Sequence, residues 1–336
     1  MRLEGLMNSL KNSREFKEVI KDIGNNRVPV GVYGLSESSR SFLISGLYEE
    51  TDKPIVVFTH SDVEARNIYD DLSLYVPSVY FLPSREVVFY NIDAISGDLR
   101  WERLKVIREI LSPGRKIIVS SVEALAAAYI PVNLFREYTY TFKVGDTKDF
   151  EELNIRLIQS GYQRVELVEG RGEFSIRGGI LDIFPPSSAD PYRIELFGDE
   201  VDSIRSFNIE SQRSIEKVNS IEIFPAKEII LKRENIERAC SNMEKDLNNV
   251  LNKFKKSKNM AAHDKIKDIT NSNLESLKEN WNFETMESYI PYFYDAPSSF
   301  FDYIADYNII FDDVQRCGGK IDSIYYEFED DYKSFL

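Results

Sequence analysis

The first residues are polar, with Phe16, Val19, Ile20 and Ile23 recurring at three- and four-residue spacing, which predicts a helical lead-in over 1–28. The apolar run Val28-Pro-Val-Gly-Val32 predicts a short strand entering the loop Gly34–Ser39, with helical periodicity from Ser41 to Tyr48. Strands are then expected at Pro54–Phe58, Val79–Leu82 and Lys116–Ser120, with helices at Asp62–Leu74, Gly97–Leu111 and Val122–Ala128. Apolar, β-branched strands alternating with helices imply parallel βαβ units in an open sheet covered on both faces. Residues 1–130 therefore read as an α/β domain.

The pattern changes at Pro131. A strand (Tyr138–Val144) and a helix (Asp149–Ser160) precede glycine-punctuated strands at Gln163–Glu169, Glu173–Arg177, Gly179–Phe184, Tyr192–Phe197 and Glu200–Asn208. Gly198-Asp199 between two alternating runs predicts a tight hairpin. Residues 131–207 thus form a small β-rich α+β unit, and Gly170, Gly172, Gly178 and Gly179 read as its turn and bulge glycines. In 208–336, Ile221–Phe224 returns to a sheet and Arg233–Glu279 is long, polar and helical. Aromatic clusters then lead to a strand at Tyr307–Phe311 that ends in Asp312-Asp313.

Composition narrows the function. The 336 residues carry a net charge of −14, which argues against broad DNA binding by phosphate neutralisation. The acidity is concentrated from Glu284 onward, where twelve acidic residues face three basic ones; it reads as a solvated surface or an acidic docking face. Lys253–Lys258 reads as a helix surface or a minor DNA contact. Two histidines (His60, His263) and two cysteines (Cys240, Cys317) exclude a multi-histidine metal site and a disulfide framework. With no apolar stretch of membrane-spanning length and no leader-like start, a cytoplasmic monomer without membrane partners is expected.

The strand–loop–helix at 30–48 sits where an α/β nucleotide-binding domain places its phosphate loop. Such a loop needs G-x-x-x-x-G-K-[ST], whose glycines open the backbone to phosphate, whose lysine neutralises charge and whose hydroxyl ligates Mg²⁺. Here the eight residues from Gly31 are Gly-Val-Tyr-Gly-Leu-Ser-Glu-Ser, with Gly34 inside the loop. Ser36 replaces the second glycine, Glu37 replaces the lysine, and only Gly31 and the Ser38 hydroxyl remain from the pattern. Exchanging a cation for a carboxylate at 4 Å from phosphate swings the interaction by roughly 2 kcal/mol even in water. Asp312 and Asp313 stand where the Mg²⁺-binding acids would be, and fit a solvated pair ending a strand at least as well. No ATP hydrolysis and no cofactor are expected of this chain.

Several motifs carry a family resemblance: Phe142-Lys-Val-Gly-Asp146, Gly161-Tyr-Gln-Arg-Val165, Gly172-Glu-Phe-Ser-Ile-Arg-Gly-Gly-Ile-Leu-Asp-Ile-Phe-Pro-Pro186 and Tyr192-Arg-Ile-Glu-Leu-Phe-Gly-Asp-Glu200. Together with Phe81–Glu86, Ile95–Arg100, Ser206–Arg213 and Ile223–Ala226, they resemble the N-terminal region of the bacterial transcription-repair coupling factors (Mfd). That region is itself similar to the nucleotide-excision repair protein UvrB. The resemblance implies three domains: 1a (1–130) with a degenerate RecA-like P-loop fold, an inserted domain 2 (131–207), and 1b (208–336). It also implies loss of the ATPase residues and of UvrB's DNA-gripping hairpin, in keeping with only 14 residues between Leu82 and Gly97. ATP, Mg²⁺, DNA and RNA polymerase would then belong to other parts of a longer ATP-driven translocase.

In that family, domain 2 recruits UvrA. Carried over by motif, the contacts implied are Arg177, Arg193, Phe197, Arg164 and Glu195; where UvrB has a further arginine two residues before Arg177, this chain has Ser175. Arginines on rigid strands beside an aromatic are a frequent hot-spot composition, because the planar fork pairs bidentately with carboxylates. The residues alone also allow each arginine to pair with a local acid (Glu195, Asp182 or Asp199), and Phe197 to be core. A UvrB-like, nucleotide-dependent DNA-damage-binding enzyme is the alternative; Ser36 and Glu37 oppose it.

Overall fold

The computed structural model describes residues 4–85, 97–283 and 285–335. The chain begins with α1 (Glu4–Asn12), α2 (Arg14–Gly24), α3 (Glu37–Glu50), β1 (Ile55–Thr59), α4 (Asp62–Ser73), β2 (Val79–Leu82), α5 (Gly97–Leu111) and β3 (Ile117–Ser121). It continues with α6 (Val132–Glu137), β4 (Tyr140–Lys143), α7 (Phe150–Gln159), β5 (Gln163–Arg164), β6 (Glu173–Arg177), β7 (Ile180–Ile183), β8 (Tyr192–Phe197) and β9 (Glu200–Phe207). Last come β10 (Ser214–Val218), β11 (Ser220–Ile223), α8 (Arg233–Ser257), α9 (Met260–Asn280), α10 (Ile290–Phe293), α11 (Phe300–Tyr303), β12 (Asn308–Phe311) and α12 (Val314–Phe335). Two units result, and the chain passes between them more than once: Met1–Arg85, Ser112–Ala126 and Ile304–Tyr326 make the first, the remaining segments the second.

The first unit holds a four-stranded parallel sheet in the order β12-β1-β3-β2. Every residue of β1 and β3 is buried, which is why both read as uninterrupted apolar runs. Ile44, Leu47, Ala65, Ile68 and Leu72 pack from α3 and α4 against Ile55, Val57, Ile117 and Val119, and Phe16 joins them from α2. Each such Val, Leu or Ile removed from water contributes about 1.5–3 kcal/mol. The strand expected at Val28–Val32 does not form. Val28 and Val32 are exposed, and Pro29 has no N–H to give a ladder, so pairing would gain little. The connection after β2 lies largely at 86–96, outside the described residues, as do parts of the Phe81–Glu86 and Ile95–Arg100 motifs.

The second unit contains a six-stranded sheet, β10-β9-β8-β7-β6-β5, antiparallel except at β5–β6, and a separate antiparallel pair, β11-β4. One face of the large sheet, built from Phe174, Leu181, Ile183, Ile194, Val201 and Ile204, is covered by Leu153 and Leu157 of α7 with Phe142, Tyr162 and Ile223. The expected hairpin turns at Gly198, with φ of 63°, and a second two-residue turn at Gly178-Gly179 joins β6 to β7. A side chain at Gly179 would come within 2.9 Å of the Leu196 carbonyl, so this position requires glycine.

The long helical segment expected at 233–279 is two helices. Lys258 turns left-handed (φ 59°) and Asn259 restarts the helix by accepting a hydrogen bond from the Ala262 amide. α6, β10, α10, α11 and α12 are additions to the expected elements. Both cysteines are buried, Cys317 in the first unit and Cys240 in the second. Burial pushes the Cys317 thiol up to about 11, with Asp312 and Asp313 adding to it, and raises that of Cys240 as well. Among the described residues no helix is long and apolar enough to cross a membrane.

Candidate protein-interaction face and the phosphate-loop region

Side chains alternate between the two faces of a strand, so the residues that pack the core fix which ones face away. With Phe174 and Ile176, Leu181 and Ile183, and Ile194 committed to the core, the outer face receives Ser175 and Arg177 from β6, Ile180 and Asp182 from β7, and Arg193 and Glu195 from β8. Across β9 the register sets Arg205 opposite Arg193 and Ser203 opposite Glu195. Phe184 and Phe207 form a small apolar cluster with Val168, and Arg193 lies 4.8 Å above the Phe207 ring.

At the centre is Asp182, whose side chain is only 2% exposed. Arg193 clamps it bidentately, donating from Nε to Oδ1 at 2.7 Å and from Nη2 to Oδ2 at 2.8 Å. Arg177 adds a single hydrogen bond to Oδ2 at 3.2 Å. Donating these hydrogen bonds to the Asp182 carboxylate raises the Arg193 pKa, an effect only partly offset by burial. The two arginines differ in access: the Arg177 side chain is 56% exposed and that of Arg193 21%. Phe197, at the hairpin end of β8, is 86% exposed, so it is not core.

The remaining expected contacts are placed differently. Glu195 lies on the same face but is engaged by Arg205 and by the Ser203 hydroxyl at 3.0 Å. Arg164 sits in edge strand β5, in parallel register with Phe174, so it projects from the core side of the sheet edge while remaining exposed. Ser175 is buried and donates to the Glu166 carbonyl at 3.1 Å. Arg205 joins this face without having been singled out from the sequence. The available signal was the alternation along 203–205, which sets Ser203 and Arg205 on the face opposite the buried Ile204; a register shift between Glu195 and Leu196 breaks the alternation before it reaches Val201.

In the first unit, Gly31 and Gly34 lie in a segment outside any helix or strand, and Gly34 has a φ of 80°. Ser36 stands at the N-cap of α3 without a side-chain cap bond, its hydroxyl 2.6 Å from that of Ser39. Glu37 opens the helix and Ser38 follows it. One turn later Arg40 reaches across to Asp312 at the end of β12, while its Nη2 donates to Glu64 at 2.9 Å. Burial pushes the Asp312 carboxyl above its ordinary range, against the opposing pull of Arg40. Asp313 is occupied in capping α12, accepting from the Arg316 amide at 3.2 Å. Asp312 is thus joined to a cation of α3, and the arrangement is held together by the chain's own charges. Among the described residues no cluster of three or more His, Cys, Asp or Glu could hold a metal ion.

Comparison with known proteins bears on the second unit most directly. Residues 140–229 match the family model of the UvrB interaction domain, a span that encloses β4 through β11 and the whole outer face. The chain is 37% identical over 94% of its length to the transcription-repair-coupling factor of Bacillus subtilis, and 28% identical over 97% to that of Staphylococcus epidermidis. It is also 28% identical, over 83% of its length, to the UvrABC system protein B of Thermosipho africanus, covering 45% of that protein. The chain spans 27% and 28% of those two coupling factors, about a quarter of their length.

Proposed function

From the premise that residues 140–229 form a UvrB interaction domain in a chain resembling transcription-repair-coupling factors nearly end to end, we propose that this chain is a recruitment module of transcription-coupled nucleotide-excision repair. It binds UvrA through domain 2, residues 131–207, as a monomer. Domains 1a (1–130) and 1b (208–336) serve as scaffold without ATPase activity. Contact with RNA polymerase and DNA, and the ATP-driven translocation that goes with them, belong to the remainder of the longer protein.

The observation that carries this reading is the outer face of the six-stranded sheet. It offers a half-free arginine, Arg177, and a fully projecting aromatic, Phe197, on a rigid β-scaffold in an otherwise acidic chain. An exposed aromatic and a planar cation are the groups that dominate binding energy at protein interfaces. Isothermal titration calorimetry of the chain with purified UvrA tests the proposal. Saturable binding is expected, with Arg177→Glu weakening it at least thirtyfold and Phe197→Ala at least tenfold, and with both variants melting like the wild type. An absence of wild-type binding would sink the recruiting role.

Similarity to UvrABC system protein B favours a second reading, a nucleotide-dependent DNA-binding enzyme. Glu37 in place of the phosphate-binding lysine, and Arg40 already paired with Asp312, oppose it. A site of 10 μM affinity would stabilise the fold by about 2.7 kcal/mol at 1 mM nucleotide. Thermal melts with and without 1 mM ATP and Mg²⁺ are therefore expected to superimpose; an upward shift of several degrees would restore the enzymatic reading.

A further inference from the structure

We infer that Asp182 is a positioning residue of the interaction face: a buried carboxylate that locks Arg193 and holds Arg177 outward, so that Arg177 delivers its guanidinium to an acidic partner surface. This rests on the recruiting role proposed above.

The argument is a donor count. A guanidinium has five N–H groups in a fixed fork. Arg193 spends its Nε and Nη2 on Asp182, has Gln212 Oε1 at 3.4 Å from the same Nη2, and lies over the Phe207 ring. It is largely enclosed and serves as the counter-charge of a carboxylate that could not stay ionised and buried alone. Arg177 spends only one hydrogen bond on Asp182 and keeps most of its donors in solvent. That single bond is enough to bias a long, flexible side chain toward one stance, which lowers the freedom a partner must remove on binding. Asp182 also neutralises the crowding of cations where Arg193 stands directly opposite Arg205.

The two arginines therefore act differently. Arg177 touches the partner, and Arg193 acts through Asp182. This predicts a specific pattern of coupling rather than a general weakening.

The test is a double-mutant cycle read by calorimetry against purified UvrA, with thermal melts of every variant. Asp182→Asn is expected to weaken binding at least fivefold in the wild-type background and less than twofold in the Arg177→Ala background. Because Asp182→Asn leaves Arg193 without its counter-charge, a second variant guards against misfolding. Asp182→Asn/Arg193→Met removes both charges together and is expected to bind within twofold of Arg177→Ala. A folded Asp182→Asn or double variant that binds like wild type would overturn the inference, as would losses that multiply fully with Arg177→Ala. If wild type itself fails to bind UvrA, the recruiting role falls and this inference with it; if Arg177→Ala weakens binding while Asp182→Asn does not, only the inference falls.

Discussion

Replacing Glu228 by alanine is expected to cost the second unit about 3–5 kcal/mol, the penalty of stranding a buried charge. Its partner is Arg103, at the middle of α5. Nε donates to Oε1 at 2.6 Å and Nη2 to Oε2 at 3.1 Å, with side-chain exposures of 3% and 6%. Burial on its own would drive the guanidinium toward its neutral form; the charge and hydrogen bonds of Glu228, with help from Tyr129, override it and raise its pKa. An alanine at 228 removes that compensation while leaving the cation in place. Urea unfolding of the chain should show the midpoint falling sharply. Arg103→Met/Glu228→Leu, which removes both charges and keeps the volume apolar, should recover most of the loss. A Glu228→Ala variant as stable as wild type would mean that water reaches the pair.

Arg193→Glu is expected to be the second severe change, and its effect is on folding before it is on binding. The substitution removes the bidentate partner of a carboxylate that is 2% exposed and sets another negative charge beside it. Loss of the pair alone costs about 3–5 kcal/mol, to which the like-charge repulsion adds. Arg177→Glu, at a side chain 56% exposed and with one hydrogen bond to lose, should leave the melting curve within a degree or two of wild type. Circular dichroism melts of the two variants separate them. Charge reversal at 193 is therefore a poor probe of the partner surface, and charge reversal at 177 a good one. Equal melting temperatures for the two would show that Asp182 is far less dependent on Arg193 than its geometry indicates.

The elements legible in the sequence are those whose burial leaves a one-dimensional trace. β1 and β3 are buried along their whole length and appear as unbroken apolar runs; β6 and β8 alternate, and their ends coincide with turn glycines. β10 is an edge strand, exposed over most of Ser-Ile-Glu-Lys-Val, and nothing in that composition demands a sheet. α12 carries paired glycines near its start and exposes most of its circumference, so no apolar stripe facing a core marked it. Val28–Val32 misled because apolar residues beside Pro29 look like a strand whether or not a neighbouring strand is there to pair with them.

The candidate face was legible as residue types and not as partnerships. Arg177, Arg193 and Asp182 are separated in the chain, and only the β6–β7–β8 register brings them to one carboxylate. Arg164 depends on a parallel pairing of β5 that two strand residues cannot announce. Arg205 was hidden for the opposite reason: its strand was expected, but its register partner Arg193 on β8 was not.

The two thiols of the chain give each unit an internal clock. Cys317 and Cys240 are buried in different units, and burial holds both thiols in their unreactive protonated form. An alkylating reagent at pH 8 can reach either one only during an opening event, so its labelling rate counts the openings of that unit. Peptide mapping distinguishes the two sites, because they lie far apart in the sequence. With no probe introduced, one quenched time course reports the breathing of the parallel-sheet unit and of the unit holding the six-stranded sheet.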